Sequence, residues 1–123
     1  LDFMASRREQ NQEDIRLRVL RLLSENPELS TRQIANIVGI SNGSTYYCIN
    51  AMIHKGMIKL GNFRSSKNKK KYVYNLTPSG IYEKTILTAK FLRRKLQEYE
   101  DLKKEIDDLE KEVKLVENNH KNT

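Results

Sequence analysis

Apolar residues along the 123-residue chain pass through three periods, and each period marks a type of element. Over residues 12–25, Ile15, Val19, Leu22 and Leu23 recur at three- and four-residue steps, the stripe of an amphipathic helix. Glu13 and Asp14 stand near the positive end of its dipole. Leu17 and Leu20 fall off that stripe, and such a surplus apolar edge is expected to meet a partner. Asn26-Pro27-Glu28 ends the helix, because proline disfavours helical backbone in the residue before it. Ser30 is expected to cap a second helix over 31–38, with Ile34, Ala35 and Val38 inward, Gly39 closing it and Ile40 plugging the core. Ser41 and Asn42 are good caps for a third helix over 42–55, which Gly56 stops. Tyr46, Ile49, Met52 and Ile53 are expected on its inner face; Ser44, Tyr47, Cys48, Ala51 and Lys55 fall opposite.

After Gly56 the period shortens. Residues 57–60 and 71–76 are strand-like, with alternation clearest in the second, and 61–70 form a long basic tip between them. A short helix, a Gly-containing turn, a capped helix and then a hairpin are the order of a winged helix-turn-helix, so the expected fold is α+β and predominantly helical. Thr77 and Pro78 open a last helix, with no further Pro or Gly after Gly80. In it Ile81, Thr85, Thr88, Leu92, Lys95, Tyr99, Leu102, Ile106, Leu109, Val113 and Val116 alternate four- and three-residue steps over about five heptads, the spacing of a coiled coil. Leu92, Tyr99, Ile106 and Val113 take the a positions and Leu102, Leu109 and Val116 the d positions, as the expected dimerisation seam. Lys95 interrupts one d position, where Phe91, Leu92 and Leu96 could compensate. Ile106 at a with Leu109 at d favours two strands if the pair is parallel. Charge pairing is divided, since in a parallel pair Glu98 faces Lys103 but Glu105 faces Glu110, so both orientations stay open. The expected organisation is a flexible arm over 1–11, whose residues 4–11 could instead add a first turn to the helix behind them, the winged domain over 12–77, a dimerisation helix over 78–117 and a disordered tail over 118–123. Leu1, Asp2 and Phe3 precede the first methionine and are expected to be cloning remnants.

Charge sharpens this picture. The net charge is +7, yet residues 1–25 hold five basic and five acidic groups, and residues 78–123 hold ten of each. Residues 26–77 hold eight basic groups and one acid, Glu28, so the whole excess sits on the helix-turn-helix and hairpin. A basic centre in a neutral frame is the electrostatic footprint expected of a nucleic-acid binder. Lys67, Lys69, Lys70 and Lys71 alone would read as a solvated loop held open by self-repulsion. Behind a helix-turn-helix they read as a wing, over 61–71, reaching phosphates or the minor groove.

The candidate DNA contacts are Ser41, Asn42, Ser44, Thr45, Tyr47 and Cys48 on the third helix, and Arg64, Lys67, Asn68, Lys69 and Lys70 on the hairpin. The helix residues surround an N-terminus suited to anions, whereas the hairpin cations supply salt-dependent affinity with little sequence information. Asn50 suits a structural hydrogen bond as well as a DNA contact. Nothing near Cys48 in sequence predicts a lowered thiol pKa, and His54 and His120 stand too far apart to make a metal site with it. Paired carboxylates, a nucleophile with its base and a phosphate-cradling Gly loop are all missing, so no enzyme activity and no cofactor are expected. The single Cys, the lack of a long apolar run and the lack of a signal-peptide core point to the cytoplasm. The expected partners are double-stranded DNA and a second copy of the chain, with no membrane; the residues name no small-molecule effector. The alternative is a protein-interaction module without specific DNA binding, whose working part is the coiled coil.

The chain also resembles the winged-helix transcriptional regulators of the MarR type, and within them the small bacterial group of exopolysaccharide-associated regulators. Asn26-Pro27-Glu28-Leu29-Ser30, Gly39-Ile40-Ser41, Asn50-Ala51-Met52-Ile53-His54-Lys55-Gly56 and Leu76-Thr77-Pro78-Ser79-Gly80-Ile81 carry the general likeness. Gly61-Asn62-Phe63-Arg64 together with Phe91-Leu92-Arg93-Arg94-Lys95 is more particular. The resemblance spans about residues 13–110 and implies a bacterial, homodimeric DNA-binding regulator connected with exopolysaccharide genes. Ile37, where a polar outward residue is expected, and Tyr47-Cys48, on a face usually rich in Arg, Asn and Gln, depart from the pattern.

Overall fold

Leu20, Leu23, Ile34, Met52, Ile58, Val19 and Thr45 are the largest fully buried side chains, and they bring four elements to one core. The computed structural model describes the backbone of residues 3–64 and 70–121, and side chains within 7–62 and 72–121. Its elements are α1 (Phe3–Glu25), α2 (Thr31–Val38), α3 (Asn42–His54), β1 (Ile58–Arg64), β2 (Lys70–Leu76) and α4 (Pro78–Lys121). They divide between two compact units, Leu1–Thr88 and Ala89–Thr123.

In the first unit α1 buries Leu17, Val19, Leu20 and Leu23, while Ile15 and Leu22 are only half-buried. Leu17 and Leu20 therefore belong to the core and are no spare edge. The stripe is wider than one-sided amphipathicity predicts, because α2 and β2 both pack on α1 and Lys84 Nζ of α4 donates to Ser24 Oγ at 3.2 Å. α1 also starts at Phe3 where a flexible arm over 1–11 was expected. No Gly or Pro stands between Phe3 and Pro27, and Arg, Glu and Gln in that stretch are good helix formers.

Caps fall where the sequence puts them. Ser30 Oγ accepts from Gln33 N at 3.1 Å and Gln33 Oε1 accepts from Ser30 N at 2.9 Å, a reciprocal capping box on α2. Gly39 closes α2 at φ 82° and Gly56 follows α3 at φ 76°, left-handed conformations that cost a side-chain-bearing residue about 1–2 kcal/mol. Ser41 Oγ accepts from Ser44 N at 3.0 Å, which caps α3.

The inner face of α3 differs from expectation by one position. Thr45 is fully buried and Tyr46 is 61% exposed, so Tyr46 does not pack inward and Thr45 does not face out. Thr45, Ile49 and Met52 form the buried row, and Thr45 Oγ1 donates to Ser41 O at 3.0 Å. That bond removes the penalty for burying a hydroxyl, and a small β-branched residue fits a crowded site where a phenol ring does not.

The strands pair antiparallel with Ile58 opposite Leu76, Gly61 opposite Val73 and Arg64 opposite Lys70. The hairpin is thus longer than its composition suggests: Gly61-Asn62-Phe63-Arg64, expected in the tip, is strand. Its base is tied down twice. Tyr74 N donates to Pro27 O at 2.9 Å and Thr77 N to Met57 O at 3.0 Å. The Thr77 hydroxyl donates to Gly56 O at 2.6 Å and accepts from Gly80 N at 3.1 Å, capping α4 while holding the end of the α3 turn. Gly80 lies so close to the Met57 carbonyl that no Cβ can be accommodated. Gly80 and Leu87 are buried, which extends the first unit to Thr88 and not only to the expected boundary at Thr77.

The second unit is the remainder of α4. Its heptad positions Leu92, Tyr99, Leu102, Ile106, Leu109, Val113 and Val116 are all between 45% and 68% exposed in the single chain. Lys95, at an expected d position, turns along its own helix: its Nζ bonds Glu98 Oε2 at 3.1 Å and lies 5.2 Å from the Phe91 ring centre. Helix continues to Lys121, beyond the expected end at 117, and His120 and Lys121 oppose the negative end of its dipole.

Two glycine substitutions should move stability in opposite directions. Gly80→Ala is expected to lower the unfolding free energy by about 1–3 kcal/mol through overpacking. Gly43→Ala, in α3 with open space around the added Cβ, should raise it by up to about 1 kcal/mol. Urea titrations of both variants measure the difference, and equal effects would refute the close approach at Gly80.

Candidate nucleic-acid interface

The rotation of α3 set by Thr45, Ile49 and Met52 decides what faces outward. Asn42, Gly43, Ser44, Tyr46, Tyr47 and His54 are exposed, and Asn50 is half-buried. Tyr47 is 77% exposed, the most open large side chain of the helix. This face has no acidic residue and six groups that can both donate and accept hydrogen bonds: two phenols, a hydroxyl, two amides and an imidazole. Ser41 is largely committed to the cap, since its hydroxyl also donates to Ser44 Oγ at 2.9 Å. Ser44 keeps its own proton for an outside acceptor.

Of the sequence candidates, Ser41, Asn42, Ser44 and Tyr47 are brought together at the N-terminal half of α3, and Cys48 lies half-buried at its edge. Thr45 is withdrawn into the core and cannot touch a ligand. Tyr46 replaces it on the outer face. Burial pushes the Cys48 thiol pKa up, and the nearby Arg16 guanidinium offsets this only in part. Among the described residues no group of His, Cys, Asp and Glu could hold a metal ion. No described helix is long and apolar enough to cross a membrane.

Beside α3 lies a cavity of about 640 Å³, walled on one side by Gln12, Ile15 and Arg16 of α1 and on the other by Ser44, Tyr47 and Lys55. Gln12 and Arg16 were not among the sequence candidates. Periodicity marks which α1 residues turn inward but does not say which outer residues stand next to another helix.

On the hairpin, Leu60 is 47% and Tyr72 62% exposed, and they share one face of the sheet because Leu60 pairs with Tyr74 and Asn62 with Tyr72. Arg64 and Lys70 occupy directly opposite register positions, though their side chains lie outside the described residues. Lys67, Asn68 and Lys69 lie outside the described residues altogether.

Residues 12–59 match the family model described as "Winged helix-turn-helix DNA-binding". No curated protein matches the chain. Several solved structures share its fold. A MarR/EmrR family transcriptional regulator from Acinetobacter sp. ADP1 is 22% identical, with a TM-score of 0.57 over 88% of this chain and 75% of that one. A mutant of MepR from S. aureus is 15% identical, with a TM-score of 0.56 over 89% and 93%. A mutant of ZitR from Lactococcus lactis is 19% identical, with a TM-score of 0.55 over 72% of this chain and only 58% of its own length. The chain is thus a predominantly helical winged helix-turn-helix with a small antiparallel sheet and a long C-terminal helix, similar in fold to MarR-family structures.

Proposed function

We propose that the chain is a homodimeric, sequence-specific DNA-binding transcriptional regulator and not an enzyme. The observation that carries this reading is the outer face of α3: an exposed, acid-free surface of Asn42, Ser44, Tyr46 and Tyr47, with a buried row of Thr45, Ile49 and Met52 behind it. α3 enters the major groove, its capped N-terminus toward a phosphate. The hairpin lies along the backbone or in the minor groove, where Arg64, Lys67, Asn68, Lys69 and Lys70 add affinity that depends on salt more than on sequence. The confinement of excess positive charge to residues 26–77 supports this arrangement. With few of the side chains that read bases bidentately, α3 discriminates by a small set of hydroxyl and amide contacts and by fit to the groove.

The α4 seam joins two copies. A row from Leu92 to Val116 about half-exposed in one chain is what a coiled coil leaves before pairing. A rigid pair then sets half-sites about 34 Å apart, or a multiple of that. Residue likeness to exopolysaccharide-associated regulators supports exopolysaccharide genes as the target class, and a cytoplasmic bacterial setting follows from it.

The reading is tested by electrophoretic shift with DNA upstream of the chain's own operon, where a specific, competitor-resistant complex is expected. A dimer that binds all duplexes equally and weakly would favour a protein-interaction module instead. Replacing Lys67, Lys69 and Lys70 together by Ala should weaken binding on every sequence and flatten the salt dependence of log K by up to about 2.7, at 0.9 per phosphate. Unchanged affinity across the salt titration would remove the wing from the interface. Ile106→Lys with Leu109→Lys should convert the dimer to monomer in sedimentation equilibrium and weaken operator binding, while thermal unfolding of the winged unit stays in place.

A further inference from the structure

We propose that α1 is a second DNA-contacting element, and that the cavity between α1 and α3 seats one sugar-phosphate ridge of the duplex, with Arg16 and Lys55 on its phosphates. The inference rests on the reading of α3 as the helix that enters the major groove.

The first ground is width. The major groove is about 12 Å across and a helix with its side chains about 10–12 Å, so a docked helix has a phosphate ridge close along each flank. One flank of α3 is this cavity: Ser44 and Tyr47 belong both to its wall and to the exposed face of the helix. A duplex engaged by that face brings a backbone over the opening.

The second ground is charge. Arg16 reaches in from α1 and Lys55 from the end of α3, and no carboxylate is among the lining residues. Among the described residues neither cation has an ion-pair partner. Arg16 is half-buried and lines the cavity opposite Ser44, Tyr47 and Cys48 of α3. A guanidinium at this wall suits paired contacts to phosphate oxygens. Gln12 stands one turn before Arg16 on the same face of α1 and is exposed, an uncharged place on the same track.

These contacts carry register and orientation but no sequence information. The test is a salt titration of binding to the operator duplex and to a scrambled duplex. Arg16→Ala and Lys55→Ala should each flatten the dependence of log K on log salt by about 0.9 and weaken both duplexes alike, leaving their affinity ratio unchanged. Arg16→Lys should keep the wild-type slope. Gln12→Lys should steepen it by about 0.9, a gain that no folding defect can imitate. Wild-type slopes in both alanine variants, or a loss confined to the operator, would overturn the inference while leaving α3 as the reading helix. A wild-type chain that binds neither duplex would instead overturn the DNA-binding reading on which the inference stands.

Discussion

What α3 can offer a ligand is decided by what it buries. Thr45, Ile49 and Met52 fix the helix about its own axis, and a turn of one residue would exchange Tyr46 for Thr45 on the surface. The constraint is a combination of packing and a single hydrogen bond. Without the Thr45 hydroxyl bonded to Ser41 O, the buried row would carry an unpaired polar group at a cost of about 1–3 kcal/mol. The same residue connects the cap of α3 to the core, since Ser41 also bonds Ser44 N. The N-terminus of α3 and the face it presents are therefore one structural problem with one solution.

Helix ends were legible in the sequence; helix faces were legible only in part. Ser30, Gly39, Ser41, Gly56 and Thr77 each have a local reason to stop or start a helix, and a local reason needs no knowledge of what packs where. Faces depend on neighbours. Leu17 and Leu20 appeared surplus because periodicity assumes one covered side, whereas α1 is covered by α2 and β2 together. The three- and four-residue spacing with Ile49, Met52 and Ile53 predicts Tyr46 inside, and Thr45 is a candidate contact; neither expectation could see the Ser41 carbonyl. The hairpin shows the same limit in another form. Gly61-Asn62-Phe63-Arg64 has loop composition, and only the ladder to residues 70–73 makes it strand.

The continuity of α4 was legible for the opposite reason, because a long run without Pro or Gly after Gly80 can be read as helix without knowing what packs on it. What spacing could not show is how the chain handles the misfit at Lys95. Its ammonium reaches Glu98 and the Phe91 ring, so its charge is satisfied along its own helix. The Arg94 guanidinium also lies 5.2 Å from the Phe91 ring centre, so the proximal end of the unit is a cation-aromatic cluster where the distal end is aliphatic.

The junction at Thr77 has a mechanical consequence. Its hydroxyl spans the end of the α3 turn and the first turn of α4, while its amide closes the base of the hairpin on Met57. Two strands lie between α3 and α4, yet these three bonds leave no free joint there. Kinematically, the end of α3, the hairpin base and the opening turn of α4 are one part, and a torque applied to that turn is delivered to Gly56 without passing through the hairpin tip.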